Sequence, residues 1–158
     1  MMTLGKKVAI GLNAVSRDIS RPTGSELARS PVTTGATKRV EKNSIKPIVV
    51  ELTGDVGAGK TTFVRGFAEG LGITEPITSP SFTISKSYAI PGGKTLVHYD
   101  FYRLPDPGLM AEDLEENLND PNSIVIVEWA DSVADLLPKD HTKIQIKYCD
   151  DGTREVTL

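Results

Sequence analysis

A glycine-rich turn lies between a strand-like run and a helix-like run, and it restricts the folds open to this chain. Residues 54–61 read GDVGAGKT and satisfy the pattern G-x-x-x-x-G-K-[ST] of a phosphate-binding loop. Its fixed positions are Gly54, Gly59, Lys60 and Thr61. Glycines let backbone N–H groups approach an anion, and a helix that starts near Lys60 directs its free N–H groups to the same point. The loop predicts binding of a nucleoside triphosphate, with Lys60 reaching the phosphates and the Thr61 hydroxyl offered to Mg²⁺.

The sequence on both sides of this turn has the pattern that such a loop needs. Residues 47–52, PIVVEL, form a β-rich run that opens with proline, which strands tolerate at their first position. After the loop, Phe63, Phe67 and Leu71 recur at every fourth position and give a helix one apolar face. The alternative is a chance glycine turn, and the strand–loop–helix order argues against it.

The composition is that of a globular protein with one main domain. The chain has 158 residues, of which 39% are hydrophobic and 25% are charged, and this length is enough to bury a core. Its single cysteine, Cys149, excludes an internal disulfide, as is usual in a reducing compartment. No apolar run approaches the length of a membrane span. We therefore expect a cytoplasmic protein with no membrane partner.

The charge distribution divides the chain into two parts. Residues 1–46 hold nine Lys/Arg against three Asp/Glu, whereas residues 47–158 hold nine against eighteen. We expect a short helix over 3–12, followed by a basic, Ser/Thr-rich insert over 13–46 that lacks apolar periodicity and is mobile. The insert would act as a tether or touch RNA or another negatively charged partner. The nucleotide-binding domain is predicted to be 47–158.

The remaining patterns predict an α/β fold, a single P-loop NTPase domain with a mixed sheet flanked by helices. The predicted strands are 47–52, 77–90, 94–104, 123–129, 142–149 and 154–158, and the predicted helices are 60–71, 108–118 and 130–137. The unbroken apolar run 123–129 indicates a strand buried on both faces in the parallel core of the sheet. Turn residues at 91–93 and 150–152 indicate two antiparallel hairpins.

Two carboxylates, each closing a run of β-forming residues within a predicted strand, are candidates for the metal-side acid. Glu128 follows IVIV, within the most apolar run of the chain, so it would lie at the end of a buried strand. Asp100 follows TLVHY, whose alternating polarity indicates a strand with one less buried face. We assign Glu128 to Mg²⁺ and place Asp100 near the γ-phosphate, where it would orient water or sense hydrolysis. For both residues the alternative is a surface acid at a strand end.

A serine-rich turn supplies a third element of the predicted site. Residues 78–83 read TSPSFT. Ser79 and Ser81 therefore follow the first helix, where nucleotide switches place a segment that closes over γ-phosphate and metal. A serine–proline turn is common, so this signal is weak by itself.

Four other side chains have less definite roles when they are judged from the residues alone. Trp129 is expected in the core or at an interface. His98 and His141 have no identifiable partner and are interpreted as structural. Arg103 would either stabilise developing charge or form a plain salt bridge.

The ordered motifs resemble one family, TsaE, formerly called YjeE. They are GDVGAGKT, RG, LG, SPSFT, DFYRL and VEW, within about residues 47–158. The resemblance implies a small domain that binds ATP and Mg²⁺ and hydrolyses ATP slowly by itself. It further implies docking on the TsaD–TsaB pair, where the ATP cycle allows repeated threonylcarbamoyl transfer to the adenosine that follows the anticodon. Contact with tRNA would be indirect, through that complex.

The resemblance also implies roles for single residues. Thr61 and Glu128 would hold Mg²⁺, Asp100 matches an acid important for activity, and Trp129 lies beside the metal acid. The predicted catalytic residues are Lys60, Asp100 and Glu128. The predicted nucleotide-binding residues are Gly54, Asp55, Val56, Gly57, Ala58, Gly59, Lys60, Thr61, Thr62, Ser79, Ser81 and Trp129.

The sequence departs from the family pattern at two places. Residues 4–9 resemble part of the family's first helix, but the polar strand before it is missing and the insert 13–46 follows it. The adenine contacts therefore stay open. Residues 108–118 lack a glycine that the family tends to carry there, which leaves the docking detail open.

Three other functions use the same loop. A small-molecule kinase needs an acceptor pocket and usually an arginine-bearing lid, yet few residues follow Glu128. A GTPase needs a guanine-reading [NT]-K-x-D motif, which the sequence lacks. A nucleotide-gated binding module with incidental hydrolysis needs the same site as an ATPase and is not separated from it by sequence. The hypothesis is that hydrolysis itself is required.

Overall fold

The computed structural model describes residues 46–158. The helix predicted over 3–12 and the basic insert up to residue 45 lie outside the described residues. None of the helices in the described range combines the length and the apolar composition of a membrane span.

Residues 46–158 form six strands, two α-helices and one 3₁₀ helix. In chain order they are β1 (Ile48–Thr53), α1 (Lys60–Gly70), β2 (Ser85–Ile90), β3 (Lys94–Asp100), α2 (Leu109–Asn119), β4 (Ser123–Glu128), the 3₁₀ helix (Ala130–Leu136), β5 (Thr142–Tyr148) and β6 (Arg154–Thr157). Each element lies within or close to a segment predicted from the sequence, including both hairpins.

The strands form one mixed sheet in the order β2-β3-β4-β1-β5-β6. The four central strands run parallel, and β2 and β6 add an antiparallel strand at each edge. The predicted α/β class is confirmed, with a parallel core and antiparallel hairpins. Because carboxyl ends of parallel strands meet at one edge of a sheet, β1, β3 and β4 end close together there.

Apolar side chains cover both faces of this sheet. The face that α1 covers is filled by Val50, Leu52, Val64, Phe67, Leu96, Ile124, Ile126 and Ile144, among others. The face that α2 and the 3₁₀ helix cover is filled by Val49, Val97, Tyr99, Leu114, Val125, Val127 and Val133, among others. Successive strand residues point to opposite faces, so the central strands read as nearly unbroken apolar runs.

The same alternation determines on which face the polar residues of β3 and β4 lie. Leu96 and Ile126 lie on the α1 face, so His98, Asp100 and Glu128 lie on that face as well. Asp100 pairs in register with Glu128. Both acids are therefore placed beside the start of α1.

Two predictions about the strands around Pro-Gly-Gly were wrong. The first strand begins at Ser85 rather than 77, since the Pro80 carbonyl accepts hydrogen bonds from the Thr83 and Ile84 amides and forms a turn. Ile84 also has a left-handed backbone, with φ 65°, which does not fit a strand. The second strand ends at Asp100, because the Leu104 amide donates a hydrogen bond to the Phe101 carbonyl and closes a turn.

The expectation that β3 has one less buried face was also wrong. All its residues from Leu96 to Asp100 are buried. The reason is its place in the sheet, since β3 lies between β2 and β4 and the two apolar layers cover both of its faces. The polar His98 and Asp100 are therefore interior residues.

Candidate active site

The loop between β1 and α1 has the backbone that its glycines predict. Gly54, Gly57 and Gly59 all have positive φ, at 141°, 80° and 106°. A Cβ at Gly54 would lie 2.2 Å from the carbonyl oxygen of Ile146 on β5. Only glycine fits at Gly54, both for its dihedral angle and for this close approach. The loop is thus packed against β5 and held in one shape.

Lys60 begins α1 and lies across the loop. Its Nζ donates hydrogen bonds to the carbonyl oxygens of Gly54 at 2.6 Å and Asp55 at 3.0 Å. Burial lowers the pKa of Lys60, and the negative charges of Glu128 and two aspartates oppose that shift only in part. A negatively charged ligand near this ammonium group would favour its protonated form.

Trp129 covers Lys60 from the other side. The Lys60 Nζ lies 4.3 Å from the centre of its ring, a distance suited to a cation–π interaction. Trp129 has a left-handed backbone with φ 58°, which is uncommon for a bulky residue and turns the chain sharply after β4. The Tyr102 ring packs on the indole with 4.9 Å between centres. Trp129 therefore belongs to the site rather than to the core alone.

The two predicted acids are buried side by side next to the loop. Asp100 and Glu128 are each only 3% exposed, and they close the adjacent strands β3 and β4. The interpretation of either residue as a surface acid is therefore excluded. Buried carboxylates need hydrogen-bond donors or cations, and the structure supplies different donors to each.

Asp100 binds the serine-rich turn. Its Oδ2 accepts hydrogen bonds from the hydroxyls of Ser79, at 3.1 Å, and Ser81. The two hydroxyls are 2.7 Å apart, and the Tyr102 amide donates to Oδ1 at 3.1 Å. One carboxylate thus links the turn at 78–83, the end of β3 and the segment after it.

Glu128 is bound by a residue that sequence reasoning interpreted as structural. The Nε2 of His98 lies 2.9 Å from Glu128 Oε1, and His98 is completely buried. His141 likewise has a partner, with its Nε2 2.9 Å from Glu51 Oε2. The view that neither histidine has a partner was wrong. The usable signal for His98 was its position two residues before Asp100, on the same strand face.

These groups surround a cleft of about 420 Å³ at the carboxyl edge of the sheet. Its lining residues are Val56, Gly57, Gly59, Lys60, Thr61, Thr62, Arg65, Ser79, Ser81, Asp100, Tyr102, Arg103, Glu128 and Trp129. Most predicted site residues thus share one cleft. The exceptions are Gly54, Asp55 and Ala58, whose carbonyl groups accept hydrogen bonds from Lys60 or Arg154 within the loop's own framework.

Three arginines near the cleft were not assigned to the site from the sequence. Arg65 and Arg103 line it, and the Arg103 guanidinium lies 4.7 Å from the Phe82 ring centre. Arg154 on β6 donates from Nε to the Ala58 carbonyl at 2.9 Å. Because Arg154 is distant in sequence from the loop, only the fold reveals this contact.

The oxygen donors of the cleft fit a magnesium ion that is shared with a phosphate ligand. Thr61 and Glu128 both line the cleft and supply a hydroxyl and a carboxylate. Among the described residues, no group of three or more His, Cys, Asp or Glu side chains could hold a metal alone. Mg²⁺ is usually bound by one or two protein oxygens together with phosphates and water, and this donor set has that character.

The fold and loop define an α/β protein of the P-loop NTPase class. The family model described as "Threonylcarbamoyl adenosine biosynthesis protein TsaE" matches residues 27–156. This match starts before residue 47, where the resemblance described above begins. The chain belongs to the TsaE family.

Individual relatives agree with this assignment. The chain is 42% identical to the tRNA threonylcarbamoyladenosine biosynthesis protein TsaE of Bacillus subtilis, over 82% of this chain and 80% of the relative. It is 39% identical to the protein of that name from Haemophilus influenzae, over 68% and 67% of the two chains. The crystal structure of Bacillus subtilis YdiB superposes with a TM-score of 0.56 and 40% identity, over 70% of this chain and 66% of that one.

Proposed function

We propose that this chain is the ATP-binding and ATP-hydrolysing component of the tRNA threonylcarbamoyladenosine machinery. It would cycle the TsaD–TsaB complex between rounds of threonylcarbamoyl transfer. The observation that carries the proposal is the convergence of Lys60, Thr61, Asp100 and Glu128 on one cleft. The names of its relatives support the pathway.

The phosphate loop and the start of α1 would bind the triphosphate. Backbone N–H groups of the loop and of the first turn of α1 are suited to phosphate oxygens. The Lys60 ammonium, now bound to loop carbonyls, would neutralise charge on the β- and γ-phosphates. Thr61 and Glu128 would hold Mg²⁺, which supplies charge neutralisation at the phosphates.

Asp100 would connect the nucleotide to the serine-rich turn. It accepts hydrogen bonds from Ser79 and Ser81, so any phosphate or water that competes for these hydroxyls changes how the turn is held. Switch segments in nucleotide hydrolases respond to the γ-phosphate in this general way. We assign to Asp100 the coupling of hydrolysis to the position of the turn.

Partner proteins would dock at the mouth of the cleft. The exposed side chains of Val56 and Tyr102 line the cleft. Phe82, which is 84% exposed, lies against Arg103 of the same lining. Exposed apolar side chains grouped around a site favour protein contact. We propose TsaD–TsaB as that partner, with tRNA reached only through the complex and the work done in the cytoplasm.

The test is ATP hydrolysis by the purified chain, alone and with TsaD–TsaB from the same source. The expected result is slow hydrolysis alone, faster hydrolysis with the partners, and loss of both in Lys60→Ala. Transfer of phosphate to a small acceptor would indicate a kinase instead. Binding of ATP with no partner-stimulated hydrolysis would favour a nucleotide-gated binding module.

A further inference from the structure

The buried pair His98–Glu128 has a feature that packing alone does not explain. Nε2 of His98 lies 2.9 Å from Oε1 of Glu128, while Nδ1 of the same ring is buried without a hydrogen-bond partner within residues 46–158. Burying a polar atom without a partner destabilises a protein. An aliphatic side chain would fill this interior position without that cost.

The orphaned nitrogen indicates which tautomer is present. If Nδ1 carried a proton, a buried N–H donor would be left unsatisfied, whereas an unprotonated Nδ1 leaves only an unused acceptor. The geometry therefore favours a proton on Nε2, where it is donated to the Glu128 carboxylate. His98 thus acts as a hydrogen-bond donor to Glu128.

The imidazole ring of His98 lies outside the cleft in which a ligand would bind. Glu128 lines the cleft, but His98 does not. The two side chains lie on the α1 face of adjacent strands, with the histidine further from the carboxyl edge than Asp100. His98 thus approaches Glu128 from the interior of the sheet, behind the cleft.

We propose that His98 is a positioning residue that fixes the Glu128 carboxylate for metal binding. It donates one hydrogen bond to Oε1, holds the side chain in a single orientation and supports its negative charge in a buried environment. The proposal rests on the proposed function, in which Glu128 is the acid on the metal side. Partners of this kind behind a metal ligand typically change metal affinity by about 10–100-fold when they are removed.

The test measures metal affinity rather than turnover. The variants are His98→Leu, which removes the donor, and His98→Gln, which restores a donor near the position of Nε2. Mn²⁺ would be titrated into each protein with a non-hydrolysable ATP analogue and followed by electron paramagnetic resonance. Affinity for the analogue would be measured separately in the presence of a chelator. His141→Leu is the matched control, because it removes another histidine–glutamate hydrogen bond of 2.9 Å away from the cleft lining.

We expect His98→Leu to weaken Mn²⁺ binding by about 10–100-fold with unchanged metal-free nucleotide affinity. His98→Gln should recover most of the loss, and His141→Leu should bind Mn²⁺ like the wild type. A folded His98→Leu protein with wild-type Mn²⁺ affinity overturns the inference. If the wild type itself binds no nucleotide, the proposed function fails instead, so the two failures are distinguishable.

A second measurement covers the case in which His98→Leu does not fold. The imidazole nitrogen resonances of His98 would be recorded in the wild type and in Glu128→Gln. We expect the Nε2–H tautomer in the wild type and a change in the Nε2–H resonance when the carboxylate becomes an amide. A proton on Nδ1, or a resonance that ignores Glu128→Gln, contradicts the proposal.

Discussion

Two histidine–glutamate pairs of the same length lie in different parts of this sheet. His98 and Glu128 are 2.9 Å apart, with side chains 0% and 4% exposed. His141 and Glu51 are also 2.9 Å apart, with side chains 19% and 13% exposed. Distance alone would give the two pairs the same role.

The two histidine–glutamate pairs differ in their other hydrogen-bond partners. In the His141 pair, Nδ1 is 2.6 Å from the Pro138 carbonyl oxygen, and Lys143 pairs with the second oxygen of Glu51 at 2.9 Å. In the His98 pair, Nδ1 is unpartnered among the described residues, and Glu128 faces the cleft. A fully satisfied, partly buried pair away from the cleft indicates a contribution to stability, whereas a buried, partly satisfied pair beside the cleft indicates a functional constraint.

The largest expected difference concerns the two glutamates. Glu128→Gln should lower ATP hydrolysis with TsaD–TsaB by about 10²–10³-fold, the usual effect of removing one charge-stabilising group. Glu51→Gln, with the same change in charge and size, should keep wild-type hydrolysis. Steady-state phosphate release measures both variants. Equal losses of hydrolysis in the two variants would mean that the two pairs do not differ in function.

The next largest effect concerns Asp100, the other buried acid of the cleft. Asp100→Asn keeps the shape of the side chain but weakens it as an acceptor for Ser79 and Ser81. We expect hydrolysis and repeated tRNA modification to fall by about 10²-fold, with ATP affinity nearly unchanged. Ser79→Ala combined with Ser81→Ala should give a smaller loss in the same direction. Full activity of Asp100→Asn would remove the serine-rich turn from the mechanism.

A smaller effect, on the stability of the fold, is expected at Gly54, where β1 leads into the phosphate loop. Gly54→Ala introduces a Cβ 2.2 Å from the Ile146 carbonyl at a φ of 141°, and should destabilise the fold by about 1–3 kcal/mol. Gly57→Ala is the matched control, since its Cβ would meet no atom within 4 Å. Urea unfolding compares the two. A larger loss in Gly57→Ala would mean that dihedral strain, not the contact with β5, limits the loop.

The smallest effect is the pH dependence of the satisfied pair. Burial would raise the pKa of Glu51, but hydrogen bonds and charges from Lys143 and His141 outweigh it and hold the pKa below its usual value of 4.5. This contribution to stability is therefore complete above pH 4.5 and is lost as pH falls through the folded-state value. Glu51→Gln should lower the free energy of unfolding by up to about 1 kcal/mol at neutral pH, and by less in acid. Urea unfolding measures this difference between the wild type and the variant. A difference that grows in acid would mean that the pKa of Glu51 is raised rather than lowered in the folded state.

The parts of the molecule that could be predicted from the sequence are those determined by a local sequence pattern. The phosphate loop depends on glycines at fixed spacing, α1 on one apolar stripe, and β4 on an unbroken apolar run, and all three lie where they were expected. The choice of Glu128 and Asp100 followed from the runs IVIV and TLVHY that these residues close. Both acids line the cleft.

The missed features depend on which strands become neighbours. His98 meets Glu128 because β3 pairs with β4, and Arg154 reaches the loop because β6 folds back on β5. The interior position of β3, between β2 and β4, has the same origin. Sequence periodicity reports the faces of one strand, but it does not report the neighbours of that strand.

The proposed ATP-driven cycle is tested most directly by counting modified tRNA molecules per TsaD–TsaB complex. With this chain and ATP, we expect many threonylcarbamoyl transfers per complex. With Lys60→Ala, or with a non-hydrolysable ATP analogue, we expect modification to stop after the first round. Repeated rounds under either of those conditions would show that ATP hydrolysis in the cleft does not drive the cycle.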